Sequence, residues 1–175
     1  TTVVITELSS ELIHKDRCVS LHFSTSNPGA NIVEAVKGLY TSDQVYANVQ
    51  KFIKMIGRKM VPVEESPGLL SVRLFATLIN EASDILMESV GSMEDIDMAA
   101  RVSLGFPLGR FELADKIGLD KVVRWLDNLY NEFGDMKYKA SPILRKKVRA
   151  SQNGRSVGKG FYEYKDGRKI TTKTY

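Results

Sequence analysis

One cysteine, Cys18, in 175 residues leaves no partner for an intrachain disulfide, so packing and hydrogen bonds must hold the fold. That cysteine and two histidines make no recognised zinc-ligand pattern. None of the thirteen glycines falls in a G-x-G-x-x-G arrangement, and no P-loop is present. Apolar runs stop at four residues or fewer, far short of the roughly 20 that span a bilayer. Thr1 to Ser10 lack the basic flank and apolar stretch of a signal peptide. A reducing compartment is expected, bacterial cytoplasm or mitochondrial matrix. Charge of one sign is also scarce: 25 Lys and Arg stand against 21 Asp and Glu, a net charge of +4. A nucleic-acid binder shows more. The one basic cluster, Arg145, Lys146, Lys147 and Arg149, reads as the solvated end of a helix, where cations complement the dipole.

What remains is an ordinary globular composition, 43% hydrophobic and 26% charged, whose two halves read differently. Up to Glu64-Glu65-Ser66-Pro67-Gly68, β-rich runs (Val3 to Ile5, Cys18 to Phe23, Ile32 to Val36, Met60 to Val63) alternate with helical patterns. Pro62 places the last run at a sheet edge. Ser42 reads as an N-cap, followed by Val45, Val49, Phe52, Ile53 and Ile56 at helical spacing and a stop at Gly57. Sixty-odd residues are few for a doubly wound sheet, and Thr1-Thr2-Val3 has no structural beginning. The front of a larger domain is therefore expected upstream.

Beyond the boundary the pattern is helical throughout. Ser66-Pro67 reads as N-cap and first turn of a helix with Val72, Phe75, Ile79, Ala82, Leu86 and Val90 on one face. Leu70, Leu74, Leu78 and Ile85 make a second face, which predicts a central helix of a bundle closed at Gly91. Ser92-Met93-Glu94-Asp95 resembles a capping box opening a second helix to about Gly105. Phe106 to Gly109 break the chain. Val122, Leu126, Leu129, Tyr130 and Phe133 share a third helical face before Gly134, and Ser141-Pro142 starts a fourth helix. Asn153-Gly154 is a turn, Phe161 to Tyr164 are extended, and the tail from Ile170 is expected to fray.

Few side chains offer acid–base chemistry near neutral pH. His14 lies in a polar connection with no assigned role. His22 ends the apolar run Val19-Ser20-Leu21, and Glu34 falls twelve positions on, inside the next run. A carboxylate in an apolar strand needs a partner. If the strands are neighbours, Glu34 can accept from one imidazole nitrogen and leave the other basic. On spacing alone, a structural pair or a coincidence remains open.

The order of Leu21-His22-Phe23, Val33-Glu34-Ala35-Val36, Ser66-Pro67-Gly68, Ile79-Asn80-Glu81-Ala82, Gly105-Phe106-Pro107-Leu108-Gly109, Phe111-Glu112-Leu113-Ala114-Asp115 and Gly158-Lys159-Gly160-Phe161-Tyr162 resembles the 3-hydroxyacyl-CoA dehydrogenases. The resemblance implies an α/β remnant of an NAD-binding Rossmann domain, residues 1–65. An all-α domain like the 6-phosphogluconate dehydrogenase C-terminal domain follows in residues 66–175, closing the substrate cleft and pairing into a homodimer. It implies an acyl-CoA substrate, NAD bound mainly upstream, His22 as catalytic base and Glu34 as its orienter. Thr1 stands where a serine bonds the substrate hydroxyl. Val72 replaces a catalytic-site asparagine and cannot donate a hydrogen bond. Thr25 replaces a nicotinamide-side asparagine by count, although a register shift supplies Asn27-Pro28, and Ser156 replaces a lysine near the cofactor. These departures leave open a catalytically impaired or repurposed CoA-ligand-binding protein, or a dehydrogenase for a polar hydroxy acid.

Overall fold

The computed structural model describes residues 2–3, 14–23 and 31–170. The chain divides into two compact units, Thr1–Arg73 and Leu74–Tyr175. The first is built on a four-stranded sheet in the order β1 (Thr2–Val3), β2 (Cys18–Phe23), β3 (Ile32–Lys37), β4 (Lys59–Glu64). β1 runs parallel to β2 and β3 parallel to β4, whereas β2 and β3 are antiparallel. Four consecutive residues are buried in each of β2 and β3, so both faces of the central pair are covered. β4 is an outer strand, where Pro62 lacks an N–H to give.

Helix α1 (Asp43–Met55) follows β3 and presses Val49 and Ile53 onto Val19, Leu21, Val33 and Ala35. Its N-terminus is capped as the sequence predicts, with Ser42 Oγ accepting from Val45 N at 3.4 Å. Thr41 Oγ1 donates to Cys18 O at 2.6 Å and fixes the loop before α1 to the start of β2. Cys18 is buried and its thiol donates to His14 O, the carbonyl that also receives Arg17 N.

The second unit holds most of α2 (Leu70–Met87), then α3 (Met93–Val102), α4 (Arg110–Ile117), α5 (Leu119–Phe133) and α6 (Pro142–Arg149), ending in a hairpin of β5 (Tyr164–Lys165) and β6 (Arg168–Lys169). Its core joins Ala76 and Ile79 of α2 to Phe111, Leu119, Leu126 and Leu144, with the Phe111 and Phe161 rings 4.3 Å apart. The basic cluster on α6 is tied down: Arg145 pairs with Asp127, and Lys147 donates to Gly160 O at 2.8 Å.

Several boundaries differ from the sequence expectations. α2 begins at Leu70, not at Ser66-Pro67, because Gly68 sits at φ +67° and interrupts helical geometry. It ends at Met87, four residues before Gly91, with the chain turned by Ser89 at φ +58°. There Val90 N bonds Ile85 O and Ser89 N bonds Leu86 O, satisfying the last carbonyls. α4 was not anticipated, since its eight residues follow a Phe-Pro-Leu-Gly break and their cap comes from elsewhere in the chain. Leu70 and Leu74, placed on a packed second face of α2, are 49% and 60% exposed, and Phe133 at the end of α5 is 43% exposed. The lower part of that face, Leu78 and Ile85, lines an apolar groove of about 370 Å³ with Ile96, Leu104 and Phe106.

Candidate functional site

The antiparallel register of β2 and β3 sets His22 directly opposite Glu34. Directly opposed residues project to the same face of the sheet, so the pair that spacing alone left open is brought together by the ladder. Glu34 is buried, whereas His22, next to the strand end, keeps part of its surface in solvent. No hydrogen bond joins the two side chains among the described residues, and Glu34 Oε2 is left unpaired; an imidazole hydrogen-bonded to such a carboxylate and partly open to solvent would be an oriented base.

Glu34 has a hydrogen-bond partner that no sequence motif announced. Its Oε1 accepts from Ser71 N at 3.0 Å. Ser71 is the second residue of α2, and its N–H is one of the first-turn donors that a helix cannot satisfy internally. Arg73 N bonds Leu69 O, so the residue before the helix is a leucine with no side-chain acceptor to offer. The glutamate of β3 does what an N-cap side chain ordinarily does, and the positive end of the helix favours its charge. This bond also explains why the first turn of α2 groups with the sheet, shifting the unit division to Arg73. The missed signal was local: a polar residue in the first turn of a helix that lacks a polar N-cap. Glu34 Oε2 and Ser71 Oγ are both buried with no hydrogen-bond partner among the described residues.

The remaining candidates separate. Val72 is buried on α2 beside Ser71. Ser156 is exposed in a short 3-10 turn of the other unit, Arg155–Val157. Thr1, Thr25 and Asn27-Pro28 lie outside the described residues.

The strongest electrostatic features belong to the helical unit. Asp97 of α3 receives Phe111 N at 2.8 Å, Glu112 N at 3.2 Å and the Tyr162 hydroxyl at 3.0 Å, so it caps α4 from a distance. Asp115 receives Phe161 N at 2.8 Å, Tyr162 N at 2.9 Å and the Tyr164 hydroxyl at 3.0 Å, pinning the C-terminal segment. Burial pushes both carboxyls above the usual aspartate range despite these donors, and burial beside the two carboxylates pushes the Tyr162 and Tyr164 hydroxyls far up. Gly109 and Gly160 lie against these carboxylates so closely that a Cβ on either would overlap Asp97 or Asp115. Asp97 and Asp115 are therefore structural nodes, and Asp115 is the last residue of the Phe111-Glu112-Leu113-Ala114-Asp115 motif.

Two domain families match successive parts of the chain. The 3-hydroxyacyl-CoA dehydrogenase C-terminal domain matches residues 68–164, and the 3-hydroxyacyl-CoA dehydrogenase NAD binding domain matches residues 1–66. The chain belongs to the 3-hydroxyacyl-CoA dehydrogenase family. A 3-hydroxybutyryl-CoA dehydrogenase from Clostridioides difficile is 41% identical over 91% of this chain and 57% of its own length. The mitochondrial hydroxyacyl-coenzyme A dehydrogenase of Homo sapiens is 32% identical over 92% of this chain and 52% of its own. The crystal structure of (S)-3-hydroxybutyryl-CoA dehydrogenase from Ralstonia eutropha superposes with a TM-score of 0.86 at 36% identity, covering 93% of this chain and 57% of that one. The chain thus spans about half the length of these relatives, and it carries the family's Rossmann-type strands followed by its helical domain.

Proposed function

We propose that this chain is the part of an NAD-dependent 3-hydroxyacyl-CoA dehydrogenase that carries the acid–base pair, His22 with Glu34. The whole protein interconverts (S)-3-hydroxyacyl-CoA and 3-oxoacyl-CoA, in fatty-acid or butanoate metabolism, in the cytoplasm or, in a eukaryote, the mitochondrial matrix. The observation that carries the reading is the register placing His22 opposite Glu34. In the oxidative direction the free ring nitrogen of His22 takes the proton of the 3-hydroxyl as hydride leaves C3. Glu34 holds the N–H on the other side of the ring, fixing the tautomer and stabilising the imidazolium. In reverse the imidazolium returns the proton to the forming alkoxide. NAD, when bound, supplies the hydride acceptor. Thr1 is assigned to the substrate hydroxyl, with Thr25 and Ser156 on the cofactor side.

The domain assignment is residues 1–65 for the end of the nucleotide-binding domain and 66–175 for the substrate-cleft and dimerisation domain. The meeting of the two family matches between residues 66 and 68 supports it. A homodimer through the helical domain is supported by exposed Val90, Val102 and Leu104, at 72%, 77% and 68%, around the groove beside α2 and α3. Leu104→Glu is expected to halve the mass measured by light scattering after gel filtration while leaving the circular dichroism unchanged. An unchanged dimer mass places the interface elsewhere.

The deciding experiment is NADH oxidation with acetoacetyl-CoA by the full-length protein, meaning this chain joined to the rest of its nucleotide-binding domain, beside the 175-residue chain alone. Turnover by the full-length form and none by the chain is the expected result. A folded, NAD-binding full-length protein without turnover would instead favour a second reading, a repurposed acyl-CoA-binding protein. The observation favouring that reading is Val72, a buried valine where the family resemblance calls for a hydrogen-bond donor. Losing one such donor costs about 10²- to 10³-fold in rate. Val72→Asn separates the two, since a large gain in turnover marks a damaged active site.

A further inference from the structure

We infer that Ser71 is a positioning residue for the His22–Glu34 pair, its amide and its hydroxyl together clamping the Glu34 carboxylate. The inference rests on the dyad reading above and concerns a residue that no motif assigns.

The amide half of the clamp is formed, Ser71 N to Glu34 Oε1 at 3.0 Å. The hydroxyl half follows from two atoms left over around that bond. Glu34 Oε2 is a buried acceptor and Ser71 Oγ a buried donor, each without a partner among the described residues. A buried polar atom left unpaired costs about 1 to 3 kcal/mol, and the two here sit on residues already joined by a hydrogen bond. A serine Oγ is only three bonds from its own amide nitrogen, and its hydrogen rotates to suit the acceptor. Rotation of Ser71 about χ1 therefore brings the leftover donor toward the leftover acceptor, directly or through one water.

Pairing with Ser71 does not exclude His22. An ionised carboxylate has about four lone-pair sites on two oxygens, so Oε2 can accept from the serine hydroxyl and from the imidazole N–H together. With Oε1 on the helix amide and Oε2 on the hydroxyl, the carboxylate plane is fixed from the helix side, and the site facing His22 is the one left for the ring. A carboxylate free to rotate would lose that aim, and an orienting group works by its aim. Val72, the next residue, contributes no side-chain donor of its own.

The test uses the full-length protein with three variants measured together: Ser71→Ala, Ser71→Thr and His22→Gln. Ser71→Ala keeps the helix and the amide and removes only the hydroxyl. Its expected effect is a roughly 10-fold fall in kcat with KM for acetoacetyl-CoA within two-fold. In this reductive direction the imidazolium is the active form, so the alkaline limb of the kcat/KM profile should move to higher pH, because a carboxylate short of one donor holds the imidazolium more tightly. Ser71→Thr should restore both the rate and the profile. A Ser71→Ala protein with unchanged kcat and an unchanged profile, beside an inactive His22→Gln, overturns the clamp and leaves the dyad standing. A Ser71→Ala loss that tracks only a lower melting temperature, with the pH profile unmoved, also overturns it. A His22→Gln protein with full activity removes the dyad itself and the inference with it.

Discussion

His22→Gln in the full-length protein is expected to lower kcat for acetoacetyl-CoA reduction by about 10³-fold, within the range a positioned acid or base contributes. Glutamine is close in size to histidine and keeps hydrogen-bonding atoms, so the strand and its pairing with Glu34 across the ladder should survive. What disappears is the ability to exchange a proton near neutral pH, which no amide has. NADH affinity, read from the quenching of Trp125 or from nucleotide fluorescence, should stay within about two-fold, because His22 is assigned to the hydroxyl proton and not to the nucleotide. Glu34→Gln should cost less rate and more stability, since it leaves the base in place and alters the acceptor that receives Ser71 N. Equal rates for His22→Gln and the unmodified protein would mean that the proton is taken by another group.

How much of this could be read from sequence differs by element, for physical reasons. The hydrophobic runs of β2, β3 and β4 and the cap and spacing of α1 are local signals, and the structure follows them within a residue or two. The ends of α2 depend on left-handed backbone at Gly68 and Ser89, and the second is a serine, which composition does not mark as a stop. The Gly109 N-cap of α4 has no side chain to accept from the first turn, and the local cap is Glu112 Oε2, which receives Gly109 N at 3.2 Å. Asp97, fourteen residues before Phe111, supplies the acceptor, and such a cap exists only once α3 has packed.

The same distinction applies to the site. Sequence could nominate His22 and Glu34 because strand ends and carboxylates in apolar runs are local anomalies. Their pairing required the ladder register, since a one-residue slip would turn one of them to the opposite face. Ser71 required tertiary structure, thirty-seven residues from the carboxylate it holds. It also links the two kinds of information: the apolar Leu69 before α2 is a local deficiency, and Glu34 on another element supplies what is missing.

Asp115→Ala is expected to have the largest effect on stability of any single change in the helical unit, about 4 kcal/mol by urea unfolding. The carboxylate is 1% exposed and receives two backbone amides and one hydroxyl. Its removal strands all three donors in a site that Phe161, Tyr162 and Tyr164 close, and each stranded donor costs about 1 to 3 kcal/mol. In the unmodified protein the carboxylate fills the space beside Gly160, where a Cβ would overlap it. Asp115→Asn restores the volume but turns at least one N–H donor toward another, so it should recover only part of the loss. The pH dependence separates the causes. Burial raises the Asp115 carboxyl above its ordinary value of 3.8, so the folded protein binds this proton more readily than the unfolded chain does. The stability linked to that proton is complete below pH 3.8 and is lost as pH rises through the raised value. The gap between the unmodified protein and Asp115→Asn should therefore widen as pH is lowered from 7 into that window. A gap that narrows on acidification would mean that the three donors outweigh burial and hold the carboxyl below its ordinary range.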